Sequence, residues 1–156
     1  MEALFEKIKT SEEKDKLMEE IDILLNSLFQ NKGEAFSILL KTGVRAWLSE
    51  YIRAELAKDE ANPFEYLKKI KEELNSFKAL KLTLAFEPTE SNIEKFSYAV
   101  KKYLGEKVVI EFSYNPTLIA GCTLTYEGKY RDFSMKSFFN SEFAKIKQDL
   151  FIQMAH

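Results

Sequence analysis

Hydrophobic residues along this chain repeat with one period up to about Lys78 and with a different one immediately after it. Before that point they recur three and four apart, which lines one face of an α-helix; from Leu80 they recur at every second position, which only an extended strand places on one side. The chain is therefore expected to be neither all-helical nor all-β. No Pro/Gly/Ser-rich linker marks the change, so the helical half is predicted to lead almost directly into the first strand.

In the helical half, Leu17, Ile21, Leu24 and Leu28 form an apolar stripe, widened by Met18, Leu25 and Phe29. Glu12, Glu13, Asp15, Glu19, Glu20 and Asp22 face away from it and read as a solvated face carrying ion pairs. Thr10 with Glu13 three residues later is a capping-box pattern, and early acids suit the positive end of a helix dipole. A short turn around Leu4, Phe5 and Ile8 precedes this helix, and Asn31-Lys32-Gly33 is placed to close it. A second helix is predicted from about Gly33 to Lys58, with apolar residues on more than one stripe, as expected of the central helix of a bundle. Asn62-Pro63 opens a third, continued by Leu67, Ile70, Leu74 and Phe77.

Beyond Lys78, Leu80, Leu82, Leu84 and Phe86 alternate with Lys81, Thr83 and Ala85 as a strand does. Ser91 and Glu94 form a second capping-box pattern, Ile93, Phe96, Val100 and Tyr103 give a helix face, and Gly105 ends it. Val108, Ile110, Phe112 and Tyr114 alternate again, so the unit is a strand, a crossover helix and a parallel strand. Asn115-Pro116 turns the chain into a third strand over 118–126, and Glu127-Gly128 suggests a hairpin to a fourth near Tyr130. A last helix from about Ser134 is expected to pack Phe139, Phe143, Ile146 and Leu150 inward, with Phe138 to one side and Phe151 near the end. The predicted class is α+β: an N-terminal helical bundle of three to four helices over 1–78, then a small α/β domain (β-α-β-β-β-α) over 79–156.

Several functions are disfavoured by what the chain contains. With 23 basic and 25 acidic residues the net charge is −2, which does not draw nucleic acid or an anionic membrane. The lysines at 68, 69, 71, 95, 101, 102 and 107 read as solubilising, because arginine is confined to Arg45, Arg53 and Arg131. No stretch is long and apolar enough to span a bilayer, and the first residues lack the apolar core of a signal peptide, so a cytoplasmic, reducing setting is expected. One cysteine, Cys122, and one histidine, His156, cannot build a Cys/His metal site, and catalysis by a histidine base is unexpected. Neither glycine-rich phosphate loop occurs. Glu111 and Asp132 are the carboxylates that could be paired for acid–base work, though nothing in their spacing brings them together. No catalytic, cofactor-binding or metal-binding residue is assigned.

The stretch from Leu80 to Ser137 resembles the C-terminal domain of the F-type ATP synthase delta subunit and oligomycin-sensitivity-conferring protein family. That family's pattern is a strand, a Pro-containing turn, a helix, a strand, a Pro-x-Leu-Ile-Gly-Gly segment, a hairpin, and Asp-Gly-Ser opening the last helix. Here Pro116, Leu118, Ile119 and Gly121 match the first signature, Gly128 the hairpin, and Asp132 and Ser134 the last. Ala120 and Phe133 stand where the pattern has glycine, and the helical half is shorter than the family's six-helix bundle. The matching residues read as scaffold: Gly121 for close backbone approach and Ser134 as a helix cap.

The resemblance implies a stator without an active site or cofactor, peripheral on the cytoplasmic side of the membrane and touching it only through partners. It implies two of these: alpha-type subunits of the catalytic head, and membrane-anchored b-type stalk helices. The helical half is expected to meet the head beside Phe36, Leu40 and Trp47, and the last helix to meet the b-type helix beside Phe138 and Phe151. The alternative reading is a small regulatory or ligand-binding α/β domain with a helical extension.

Overall fold

The structure, a computed structural model, describes residues 2–30, 34–59 and 62–154, with side chains at 4–30, 34–58 and 62–144. Helices come first: α1 (Glu2–Phe5), α2 (Ser11–Ser27), α3 (Glu34–Thr42), α4 (Ala46–Asp59) and α5 (Pro63–Asn75). After them follow β1 (Lys78–Leu84), α6 (Glu90–Leu104), β2 (Val108–Tyr114), a 3-10 turn (Pro116–Leu118), β3 (Gly121–Tyr126), β4 (Lys129–Ser134) and α7 (Met135–Met154). The architecture is α+β, a helical part followed by a small α/β part, as the two periods predict.

The start signals of α2 and α5 act as read. Thr10 Oγ1 accepts from the Glu13 N–H at 3.2 Å while the Glu13 carboxylate accepts from the Thr10 N–H, closing a capping box. Asn62 Oδ1 accepts from the Phe64 N–H at 3.0 Å, with Pro63 in the first turn. Leu17, Ile21 and Leu24 of α2 meet Leu48 and Ile52 of α4 and Leu67, Ile70 and Leu74 of α5, all fully buried. Each such side chain contributes on the order of 2 kcal/mol by leaving water.

Three expectations for the helices are corrected. The second helix is not continuous: α3 ends before Gly43, and α4 starts anew from Arg45, whose carbonyl accepts from the Leu48 and Ser49 N–H groups at 3.0 Å. The break is held from α2, where Glu20 accepts from the Arg45 N–H at 2.8 Å and grips its guanidinium at 2.7–3.0 Å. Glu20 is thus not on a solvated face; its side chain is 13% exposed. The central helix is α2, which touches α3, α5 and β2. The proposed stop at Asn31-Lys32-Gly33 lies outside the described residues.

The sheet order is β2-β1-β3-β4. β1 and β2 are parallel, with Leu80 opposite Ile110 and Leu82 opposite Phe112, so α6 serves as the crossover that parallel neighbours need. β3 is antiparallel to β1, with Leu124 opposite Leu82, and β4 antiparallel to β3, with Phe133 opposite Cys122 and Arg131 opposite Leu124. α6 lies on the face carrying Leu82, Leu84 and Ile110, to which Phe96 and Val100 add. Its cap is Thr89, whose hydroxyl accepts from the Asn92 N–H, rather than Ser91; Glu94 turns instead to Lys9 at 2.9 Å. Tyr103 continues the spacing of Phe96 and Val100 yet is 79% exposed. β3 starts at Gly121, three residues later than expected, because 116–118 coil into the 3-10 turn. Glu127 (φ 48°) and Gly128 (φ 76°) both take the left-handed conformation of a tight hairpin.

The helical part and the sheet share contacts. Val109 of β2 is buried in the helical core, and the Ile110 N–H donates to the Lys9 carbonyl at 3.1 Å. Lys101 of α6 reaches back to the end of α1, donating to the carbonyls of Phe5 and Glu6 at 3.1 and 3.2 Å. Among the described residues no helix is long and apolar enough to cross a membrane.

Candidate functional site

Six of the seven motif residues converge on one corner, where the 3-10 turn, the start of β3, the end of β4 and the first turn of α7 meet. Asn115 Oδ1 accepts from the Thr117 N–H at 3.0 Å, Pro116 occupies the first position of the 3-10 turn, and Leu118 is buried beneath it. Ile119 follows at φ 69°, a sterically unfavourable setting for a β-branched residue, with its side chain in solvent. The Met135 N–H then donates to the Ala120 carbonyl at 2.9 Å, tying the turn to α7. Gly121, at φ 83°, lies against the backbone of Phe133 and Ser134. The Ser134 N–H donates to Asp132 at 2.8 Å and the Ser134 Oγ accepts from the Ser137 N–H at 3.1 Å, so Asp132 and Ser134 launch α7 in sequence. Gly128 is at the far end of the hairpin.

This corner carries an apolar strip in water. Ile119, Phe133, Met135, Phe138, Phe139 and Phe143 are all exposed, with the three α7 rings in successive contact at 6.1 and 6.4 Å. A shallow hollow of about 390 Å³ lies between Ile119, Lys136, Phe139, Asn140 and Phe143. The inward packing expected of Phe139 and Phe143 is therefore overturned. α7 makes its main contacts with β4 and the 3-10 turn, and among the described residues no layer covers these rings. Ile119, Phe138, Phe139 and Phe143 together form an apolar surface of the kind that protein interfaces use. Phe138 belongs to it; the side chains of Ile146, Leu150 and Phe151 lie outside those described.

In the helical part, Leu40 is buried in the core, while Phe36 and Trp47 pack against the same core half-buried. The Trp47 ring carries Lys7 Nζ at 4.7 Å and the Arg45 guanidinium at 4.9 Å, both within cation–π range. Phe36 and Trp47 thus keep part of their rings in water while Leu40 is inside the core, and Glu20 holds the Arg45 guanidinium that lies over Trp47.

Chemically reactive arrangements are sparse. Glu111 and Asp132 are on the two edge strands, which lie about 14 Å apart with β1 and β3 between them, and are two residues out of register; Glu111 pairs with Lys81 at 3.5 Å. Burial, and then the charge of Asp132, push the Cys122 thiol up, away from thiolate chemistry. Burial likewise raises the Tyr66 phenol, with Tyr51 beside it. Among the described residues no group of three His, Cys, Asp or Glu could hold a metal ion. His156 lies outside them.

Two features escaped the sequence. Lys101, read with its neighbours as solubilising, is half-buried, and burial lowers its ammonium pKa; its partners are backbone carbonyls, which leave no trace in a sequence. Lys129 and Arg131 share the parity of Phe133 and so point to the face on which α6 packs. Charges at inward parity on a strand were the available signal that this face is not fully covered.

The model for the family described as ATP synthase delta (OSCP) subunit matches residues 47–142, more than half of the chain, from within α4 into α7. No curated protein matches in sequence. Among solved structures, a chain of the Toxoplasma gondii mitochondrial ATP synthase hexamer is similar at 10% identity and a TM-score of 0.38, over 85% of this chain and 86% of that one.

Proposed function

The chain belongs to the ATP synthase delta (OSCP) subunit family and is a subunit of that type, and from this we propose that it is a non-catalytic stator of the peripheral stalk. It joins the catalytic head to membrane-anchored b-type helices and resists the torque of the rotor, so that proton flow drives ATP synthesis. The observation that carries the reading is the apolar surface that Ile119 makes with Phe138, Phe139 and Phe143 of α7, left in water among the described residues. An isolated chain gains nothing from such a strip; a chain that lives against other subunits covers it.

In this reading residues 1–78 and 79–156 are two docking halves. The first takes alpha-type subunits of the head through Phe36, Leu40 and Trp47, and the second takes a b-type helix beside Phe138 and Phe151. The motif residues Pro116, Leu118, Ile119, Gly121, Gly128, Asp132 and Ser134 are structural, holding the corner and hairpin from which α7 projects. The protein has no turnover and no cofactor of its own, does not bind nucleic acid, and sits on the cytoplasmic side with its partners making the membrane contact.

Affinity purification of the tagged chain from native membranes, with copurifying chains identified by mass spectrometry, tests this. Recovery of head and b-type subunits together is the expected result. Recovery of neither, or hydrolysis of ATP by the pure chain that a point substitution in it abolishes, would remove the stator reading.

A further inference from the structure

A hollow of about 560 Å³ opens between α6 and the segment that joins α1 to α2, lined by Ser97, Lys101 and Lys102 on one side and by Glu6 and Lys9 on the other. Lys101 is held there by neutral groups. Its Nζ donates to the carbonyls of Phe5 and Glu6 at 3.1 and 3.2 Å, and it has no salt bridge among the described residues. A neutral amine has two N–H bonds and one lone pair, so both carbonyl contacts survive the loss of a proton and the lone pair is left without a partner. Lys9, in the same hollow, is the contrast: its bond to Glu94 at 2.9 Å keeps it an ammonium. Burial favours the uncharged form of Lys101 and, with Lys9, lowers its pKa, against Glu106, Glu6 and Glu13, which act to raise it. A desolvated lysine of this kind is a nucleophile.

Ser97 is one helical turn before Lys101, on the same face of α6. It is only 5% exposed, lines the hollow, and its hydroxyl has no hydrogen-bond partner among the described residues. A hydroxyl donor beside an amine is what acyl transfer needs, because negative charge grows on the carbonyl oxygen as the amine adds. We propose that Lys101 is an acyl acceptor, taking the acyl group of a small acyl phosphate or acyl thioester held in this hollow, with Ser97 donating to the carbonyl oxygen. The nitrogen–carbon bond forms as the carbon–oxygen bond to phosphate, or the carbon–sulfur bond to the thiol, breaks. The leaving group takes the bonding electron pair, and the proton of the amine passes to solvent. The amide so formed keeps one N–H, so one of the two carbonyls beyond α1 loses its donor. Neither the head nor the b-type helix enters this step, and the assignment stands apart from the stator reading.

The full-length protein is treated at a series of pH values with limiting acetyl phosphate in one arm and S-acetylglutathione in the other, and acetylation of each lysine is followed by peptide mass spectrometry. In at least one arm Lys101 is expected to react several times faster than the exposed Lys69 and Lys129, to reach its half-maximal rate at a lower pH, and to lose this lead in denaturing urea; the faster arm identifies the donor. Ser97→Ala should slow acetylation of Lys101 without moving its pH midpoint, whereas Glu106→Gln, by removing a carboxylate that favours the ammonium, should lower that midpoint. A rate no greater than that of the exposed lysines in both arms, a pH midpoint equal to theirs, or a lead that persists in urea would overturn the proposal. An unchanged rate in Ser97→Ala would overturn the role given to the serine.

Discussion

A Cβ on Gly121 would stand 2.2 Å from the carbonyl oxygen of Phe133, closer than any side chain can come to a neighbouring backbone. Gly128, also at positive φ, has nothing within 4 Å. Gly121→Ala is therefore expected to cost at least about 3 kcal/mol, through both dihedral strain and the clash, and Gly128→Ala about 1 kcal/mol through strain alone. Urea unfolding of the two variants checks this; equal and small losses would mean that the corner relaxes.

Removal of the Glu20 carboxylate frees the start of α4. Glu20→Ala should lower stability by roughly 1.5–3 kcal/mol, the range for charge-assisted bonds to a partly buried group. Hydrogen exchange should quicken at Leu48 and Ser49, whose N–H groups depend on the Arg45 carbonyl being held in place, with the β3–β4 hairpin unaffected.

Acid pH separates the corner from the surface ion pairs. The Ser134 hydroxyl, then its N–H, hold the Asp132 carboxyl below its ordinary range, and lysine partners do the same for Glu73, Glu94 and Glu127. Below the ordinary carboxylate range the unfolded chain binds protons that the folded one does not. The stability these groups contribute is thus present above that range and lost as pH falls through their folded values. Screening in high salt should erase the lysine-paired share and spare that of Asp132, so Asp132→Asn should flatten the acid limb of melting temperature against pH even in 1 M salt.

Lys101→Met should loosen the first residues of the chain. Without the ammonium, the Phe5 and Glu6 carbonyls lose their donor, and exchange should quicken across residues 4–10 more than in α6 itself. Uniform loosening of the whole molecule would indicate lost packing rather than a released strap.

Phe138→Ser should weaken binding of a b-type helix peptide while the melting temperature stays nearly unchanged, because the ring is 56% exposed and removal of an exposed side chain is worth about 0.5 kcal/mol or less. Unaltered peptide affinity would count against the assignment of this surface.

What could be read from the sequence was whatever depends on neighbours in the chain. The Thr10–Glu13 box, the Asn62–Pro63 start, the alternation of Leu80, Leu82 and Leu84, and the Glu127-Gly128 turn are local, and each is where its pattern put it. The misreadings came where a distant group decides. The apolar run from Phe36 to Leu56 looks continuous because the break at Gly43–Arg45 is stabilised by Glu20, 25 positions from Arg45. Tyr103 keeps helical step with Val100 yet stands in water, and period alone does not say where a layer stops. Phe139 and Phe143 share a stripe that periodicity assigns inward; their exposure shows that among the described residues no layer covers it. The motif residues were legible as scaffold, but their convergence on one corner was not, since Gly121 comes opposite Ser134 through the register of β3 with β4.

Val109 and Ile110, consecutive in β2, are buried in two different cores, the first among the helices and the second under α6. A single peptide unit is thereby a party wall between them, braced at its edge by the Lys9 carbonyl. A push on the helices that tilts Val109 must turn Ile110 with it, so a load entering at one end is handed on through β2 instead of being absorbed in a bend. Such a junction ties the two cores together as a stiff bracket does.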